Sequence, residues 1–379
     1  MSTLVALREP DGETRAALTP EAVRTIVRLG HRVVVQTGIG THAFHPDEAY
    51  ADAGAEVLEG APLADALRGA DLLAHVVPLE PERLAVLQPG TITLGLAGAL
   101  DDERRAALAA AGTVTLAFER LPRISRAQAM DVLSSQSFVA GYRAVLEAAV
   151  RLPRFFPLAM TAAGTVPPAK VVVLGVGVAG LQAIATARRL GATVAANDIR
   201  PDSAEEVRSV GATFIDAGVG TAEASGGYAR ALAATAAEAQ QQAIAPHIAE
   251  ADVLITTAAV PGRRAPRLVT TEMLAAMRPG SVAVDLAAAT GGNVEGSQPG
   301  AEVRVPSSRG GGDVVLVGLA NAAGDLPTDA SRLYAKNVSN VVELLTVPGA
   351  EGEGATLAVD TNDEVLAGML VDVAPQEAG

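Results

Sequence analysis

The chain has 379 residues, more than the roughly 250–300 that a single hydrophobic core sustains, so two domains with a cleft between them are expected. Hydrophobic residues make up 49% but aromatics only 3%, which leaves the packing to Ala, Val and Leu. A formal charge of −14 repels phosphate backbones and excludes nucleic acid as a natural partner, while the absence of cysteine excludes disulfides, thiolate catalysis and Cys-ligated metal or iron–sulfur sites.

The amino terminus, MSTLVALREPDGETR, has neither the basic start nor the apolar core of a secretory signal. No run reaches the ~20 apolar residues of a membrane-spanning helix, and a soluble chain is expected. From there strand-like and helix-like runs alternate: TLVAL, PEAVRTIVRLG, HRVVVQTG, ADALRGA, DLLAHVV, ERLAVLQ, TITLGLA, DERRAALAAAG and TVTLAFE. That rhythm predicts parallel α/β units. Thr19 before Pro20 reads as a helix N-cap with proline at the first helical position, and Gly30 as the C-cap.

At residues 123–145 the pattern changes: RISRAQAMDVLSSQSFVAGYRAV packs Arg123, Gln128, Asp131, Ser134 and Ser135 into a dozen positions ahead of a helix. Ser125-x-x-Gln128 matches a capping box, and Asp131 and Ser134 suit the cap of the following helix. Capping and ligand binding are both open readings of these side chains. In that helix Val139, Tyr142, Val145, Leu146 and Ala149 keep helical spacing.

A second α/β series follows, running KVVVLG, a helix from about Val178 to Leu190, TVAANDI, a helix near 202–210, TFIDA, a polar Ala/Gln-rich helix, DVLITTAA, TEMLAAM, SVAVDLAA and VVLVGLA. Asp329 to Leu345 reads as a helix, and PGAEGEGA after it as a solvated loop. Within the series, Gly175-x-Gly177-x-x-Gly180 sits between strand and helix. The first glycine permits the turn, the second lets backbone approach a pyrophosphate, and the third brings helix against strand. The next strand ends in Asp198, where a carboxylate accepts ribose hydroxyls and repels a 2′-phosphate, so NAD(H) is favoured over NADP(H). Of the five histidines only the THAFHPDE pair has spacing near that of metal ligands; it reads as a surface loop, and no metal is expected. In EASGGYARAL, Gly226 and Gly227 beside Tyr228 read as a turn or as a flap with an aromatic tip.

Taken together, PRISRAQAMDVLSSQSFVAGYRAVLEAA, TAAGTVPPAKVVVLGVGVAGLQAIATARRLGA, GGYA, ITTAAVPGRRAP, VDLAAATGGN and SRLYAKNV strongly resemble the NAD(H)-binding component, the alpha subunit, of proton-translocating nicotinamide nucleotide transhydrogenases. The resemblance covers nearly the whole chain. It implies that Arg123 contacts the nicotinamide carboxamide, Gln128 the nicotinamide ribose and the partner's nucleotide, and Asp131 and Ser134 the carboxamide. Tyr228 would tip a mobile loop over the site, with Gly227 beside it, and these five polar side chains form the implied catalytic set. The glycines Gly175, Gly177 and Gly180, with Val178, Ala179, Asp198, Ile199, Arg200 and Ala259, would line the rest of the nucleotide groove.

The resemblance implies two Rossmann-like α/β domains: residues 1–122 with 328–379 returning to them, and a nucleotide-binding domain over 123–327. It also implies a homodimer that works with an NADP(H)-binding beta subunit and a separate membrane-spanning alpha subunit, held peripherally on the cytoplasmic face. Alanine dehydrogenases share the fold and the arginine at Arg15, and give the main alternative; a non-catalytic NADH-binding regulator is another. Amino acid oxidation needs a proton acceptor and a cation for the carboxylate. Where that family carries lysine, histidine and aspartate, this chain has LLAHVVPLEP with His75 near the lysine position, TLGLAGAL, and Ala289. Transfer between two nicotinamides moves only a hydride and needs no such set. Two departures from the transhydrogenase pattern stand out: Ala289-Thr290 replaces a Glu-Gln pair, and ANAAGDLP lacks an arginine.

Overall fold

Alternate residues of each apolar run enter different cores, which makes the strands central ones in sheets covered on both faces. Leu4 and Ala6 join one core and Val5 and Leu7 another; Leu72 and Ala74 likewise part from Leu73. In the second half of the chain Val171 and Val173 face one core, Val172 and Leu174 the other. The computed structural model describes residues 1–200, 202–217, 239–260, 262–350 and 354–371. They gather into two units, Met1–Gln136 with Ala323–Gly379, and Ser137–Ala322.

The main sheet of the first unit has six strands: β1 (Thr3–Ala6), β2 (Arg32–Gln36), β3 (Glu56–Leu58), β4 (Leu72–Ala74), β5 (Ile92–Gly95) and β6 (Val114–Ala117). All pairs are parallel, in the order β3-β2-β1-β4-β5-β6, so the strand order reverses between β1 and β4 as in a Rossmann fold. The helix Pro327–Leu345 lays Tyr334, Ala335, Val338, Val341, Val342 and Leu345 into this unit's larger core. The Tyr334 hydroxyl donates to the His75 carbonyl at 2.6 Å, and its ring meets Phe118 edge to face at 5.7 Å. A hairpin, β7 (Ala159–Thr161) with β8 (Gly164–Val166), opens the strands of the second unit. Its main sheet runs β11 (Thr213–Phe214), β10 (Thr193–Asn197), β9 (Lys170–Leu174), β12 (Val253–Thr256), β13 (Val282–Asp285), β15 (Asp313–Gly318), β14 (Glu302–Pro306). The order again reverses, at β9 and β12.

The α/β reading holds, and the two main sheets are parallel but for one pair; the β7–β8 hairpin and the pair Thr346–Val347 with Thr356–Leu357 are small antiparallel sheets apart from them. β14 pairs antiparallel with β15, an edge strand that apolar runs did not reveal because its burial alternates. The short helices Asp47–Asp52 and Glu364–Met369, the strand β3 and the hairpin were likewise not legible as separate elements. Thr19 and Pro20 do start a helix, although the Thr19 hydroxyl makes no cap bond; Leu29 is the C-cap, and Gly30 follows it at φ +92°. The boundary between units falls inside the helix Val132–Arg151, after Gln136, whereas the sequence suggested 122/123. The cause is a set of side chains that tie 125–136 to the rest of the first unit, described below.

Glu9, in the loop after β1, accepts the amides of Val76 at 2.8 Å and Val77 at 3.2 Å in the loop after β4. Burial pushes its carboxyl up to about 7, against the two amides, which favour the charged form. A carboxyl whose folded value lies above its unfolded one contributes stability at acid pH and loses it as pH rises through the folded value. Melting temperature should therefore fall as pH rises from about 4.5 to 7 and level off above that. Glu9→Gln should flatten that slope; a variant as pH-sensitive as the parent would assign the effect elsewhere.

Candidate nucleotide-binding site

The turn after β9 contains three glycines with three different physical reasons. Gly175 has φ +91°, and a Cβ there would lie 2.8 Å from Thr257 Oγ1 and 2.9 Å from the Ala258 nitrogen. A Cβ on Gly180 would lie 1.9 Å from the Gly175 carbonyl oxygen, so the helix Val178–Arg189 can approach the strand only with glycine at that point. Gly177 is exposed, has an ordinary φ of −75°, and has nothing within 4 Å of where its Cβ would stand. Nothing among the described residues requires glycine there. The helix that follows has no side-chain cap, so its first amides are left without a side-chain acceptor, the condition under which a helix start can bind an anion.

Asp198 lies directly after β10, with Oδ2 accepting the Val176 amide at 2.7 Å and Oδ1 accepting the Arg200 amide at 2.9 Å. The Arg200 guanidinium adds an ion pair at 3.1 Å and donates to the Val176 carbonyl. Burial would raise the Asp198 carboxyl, but the Arg200 and Val176 donors outweigh it and hold it below the ordinary aspartate value. Ile199 between them is 64% exposed, and Val178 and Ala259 face solvent or lie half-exposed. The second unit thus brings Gly175, Gly177, Val178, Ala179, Gly180, Asp198, Ile199, Arg200 and Ala259 to the carboxyl ends of β9, β10 and β12. Gly227 and Tyr228 lie outside the described residues.

Two buried polar groups missed in the sequence hold the loops beside this edge. Asp285 at the end of β13 is fully buried and accepts from Thr256 Oγ1, the Ala287 amide, the Asn293 amide and the Val294 amide, at 2.9–3.2 Å. Asn293 in turn clamps Ala258, accepting its amide and donating to its carbonyl and to that of Pro266. The departing residues Ala289 and Thr290 are exposed, and the loop keeps its shape through Asp285, Asn293 and the left-handed Gly291 and Gly292. Gly141 was missed as well: a Cβ there would lie 2.1 Å from the Ala179 carbonyl, so the helix Val132–Arg151 touches the start of the Val178–Arg189 helix through bare backbone. A glycine inside an otherwise alanine-rich helix was the signal.

In the first unit, Ser125–Met130 is a 3₁₀ helix with Ile124 as N-cap and no side-chain cap bond, so the Ser125/Gln128 capping box does not form. Six 3₁₀ residues are too tightly wound for that reciprocal geometry. Asp131 does cap the next helix, accepting the Ser134 amide at 3.0 Å and the Ser134 hydroxyl at 2.5 Å. Ser135 donates to Asn337 Oδ1 at 2.7 Å. Arg123 and Gln128 are exposed, and among the described residues their side chains have no partner. The polar side chains thus divide: Asp131, Ser134 and Ser135 build the helix start, and Arg123 and Gln128 have no partner among the described residues.

A cavity of about 480 Å³ opens beside the loops after β1 and β2, lined by Arg8, Glu9, Glu13, Arg15, Gln36 and Arg83. Arg15 there is buried and already forked onto Glu13, at 2.8 and 2.7 Å, with Gln136 Oε1 at 3.0 Å. His75 is fully enclosed; its Nδ1 carries the proton toward the Val77 carbonyl at 2.8 Å, and burial pushes its pKa down to about 4.

The different roles of the glycines can be separated by substitution. Gly177→Ala should leave thermal stability within about 0.5 kcal/mol of the parent, as at any uncrowded surface position. It should weaken dinucleotide binding by about 1–3 kcal/mol, the cost of forcing a carbon into a packed contact. Gly180→Ala should instead lower stability itself by at least that amount. Titration calorimetry and melting curves on the pair check both; unchanged affinity in Gly177→Ala would remove the pyrophosphate from this turn.

Two family models together match nearly the whole chain. Residues 6–140 match the family Alanine dehydrogenase/PNT, N-terminal domain, and residues 144–375 match Alanine dehydrogenase/PNT, C-terminal domain. The first part of the NAD(P) transhydrogenase subunit alpha of Rhodospirillum rubrum is 43% identical over 95% of this chain and 93% of its own length. The crystal structure of transhydrogenase from Sinorhizobium meliloti superposes with a TM-score of 0.83 at 41% identity, covering 97% of this chain and 98% of that one. An L-alanine dehydrogenase structure follows with a TM-score of 0.76 at 27% identity, covering 97% and 94%. The chain belongs to the alanine dehydrogenase/PNT family, on the side of the NAD(P) transhydrogenase alpha subunits.

Proposed function

We propose that this chain holds NAD(H) and exchanges a hydride with NADP(H) carried by another subunit. The observation that carries the reading is Gly177, a glycine with no steric reason inside the described protein, placed where a dinucleotide's pyrophosphate would need bare backbone and uncapped amides. Asp198, kept ionised by Arg200 and the Val176 amide, would accept the adenosine ribose hydroxyls. Arg123 and Gln128, exposed and without a partner among the described residues, would take the nicotinamide end, with Asp131 and Ser134 beside them. Bound NADH would supply the hydride, and the protein's role would be to orient the ring and exclude water.

The groups an amino acid oxidoreductase needs are committed elsewhere. Arg15 is neutralised by Glu13, His75 is enclosed and neutral, and Ala289 offers no carboxylate. Purified chain mixed with an NADP(H)-binding partner should accelerate reduction of an NAD analogue by NADPH, and chain alone should not reduce NAD with L-alanine. Alanine-dependent reduction would replace this reading with a dehydrogenase. Tight NADH binding without any transfer would leave a binding regulator.

We also propose a homodimer, docked beside separate membrane-spanning and NADP(H)-binding subunits on the cytoplasmic face. Among the described residues no helix is long and apolar enough to cross a membrane. Phe138, Tyr142 and Val150 recur along the helix Val132–Arg151 at 48%, 40% and 84% exposure, followed by exposed Phe155, Leu158 and Met160 leading into the β7–β8 hairpin. An isolated two-stranded hairpin is marginal in water, and so large an apolar surface asks to be covered. Light scattering should give twice 38.3 kDa, and the double substitution Tyr142→Glu, Val150→Asp should give a folded monomer. A parent chain that scatters as a monomer would remove the dimer.

A further inference from the structure

The 3₁₀ segment Ser125–Met130 carries Gln128. It is linked by the Ala127 amide to the Ile124 carbonyl and by the Asp131 amide to the Gln128 carbonyl, at 3.0 and 3.3 Å. Such a run is long for a 3₁₀ helix and has poor hydrogen-bond geometry. What pins it comes from the helix Pro327–Leu345. Asn337 Nδ2 donates to the Ala129 carbonyl at 2.8 Å and Asn340 Nδ2 donates to the same carbonyl at 2.6 Å. The two asparagines stand three apart on one helix face, which lets both amides converge on one oxygen.

The amide orientation of Asn337 follows from chemistry: a carbonyl can only accept, so Nδ2 faces Ala129, and Oδ1 is left to receive the Ser135 hydroxyl. Ser135 begins the helix that Asp131 caps, so a single side chain ties the 3₁₀ segment to the helix start. On the other flank Arg126 pairs with Asp363, the N-cap of the helix Glu364–Met369. Ala127 anchors the segment from below, 1% exposed in the core. Between these anchors only Gln128 projects freely.

We propose that Asn337 and Asn340 are positioning residues that hold the Ala129 carbonyl and thereby aim Gln128 at the nicotinamide end of the bound nucleotide. The inference rests on the reading proposed above, and it adds a claim about residues that touch neither nucleotide. Asn340 is the better one to test, because it is partly exposed and its loss leaves the Ala129 carbonyl to water and to Asn337.

Asn340→Asp keeps the size and removes the donor. In this variant the melting temperature and the affinity for ADP-ribose, which lacks the nicotinamide, should match the parent. The rate of hydride transfer with the NADP(H)-binding partner should fall by about 10- to 100-fold, the cost of a small misplacement in a near-attack geometry. Amide exchange over residues 125–131 of the nucleotide-free chain should become faster, and Asn340→Gln, which restores a donor, should recover much of the transfer rate. Unchanged exchange and unchanged transfer in Asn340→Asp overturn the inference while leaving the NAD(H) reading intact. A parent chain that binds neither ADP-ribose nor NADH overturns both.

Discussion

The contact between Gly180 and the Gly175 carbonyl is the constraint from which the candidate site follows. A Cβ at Gly180 would sit 1.9 Å from that oxygen, so the chain can pass from β9 into its helix this tightly only because no side chain intervenes. The helix that follows Gly177 starts with amides that no side chain caps. Gly141 extends the same device, because its missing Cβ lets a second helix lie against the Ala179 carbonyl. Few aromatics and abundant alanine suit such packing, in which backbones approach closely and small side chains fill what remains.

In both units ionisable groups serve mainly as internal fasteners. Asp285 holds four donors, Glu13 neutralises Arg15, and Asp198 is bridged to Arg200 and to the Val176 amide. A buried polar group without partners costs several kcal/mol, and here the surrounding amides, hydroxyl and guanidinium replace water. The consequence for chemistry is that no buried acid or base is left waiting for a substrate proton at these positions. This fits the proposed role, in which the chain grips and orients a dinucleotide.

Much of the site was legible because its motifs are local. The three glycines and Asp198 stand within one strand–helix–strand unit, where spacing fixes geometry, and the parallel sheets follow from apolar runs separated by helical ones. The polar stretch before the long helix was legible only in outline. Five hydrogen-bonding side chains could be seen, but their division into helix builders and free groups depends on Asn337, 202 residues away from Ser135. The capping box failed for a local reason, the 3₁₀ winding of 125–130, which residue pattern alone does not distinguish from an α-helical start.

By itself the sequence determined the alternation of strands and helices, the glycine turn between strand and helix, and the carboxylate that follows the second strand of that unit, all of which are set by periodicity and short spacings. Tertiary structure decided which polar residues are consumed. It paired Arg15 with Glu13, enclosed His75 and led the Pro327–Leu345 helix back to hold Ala129. The physical reason is that a hydrogen-bonding group is free or satisfied according to what lies within about 3 Å of it. For these residues that neighbour arrives from a distant region of the chain.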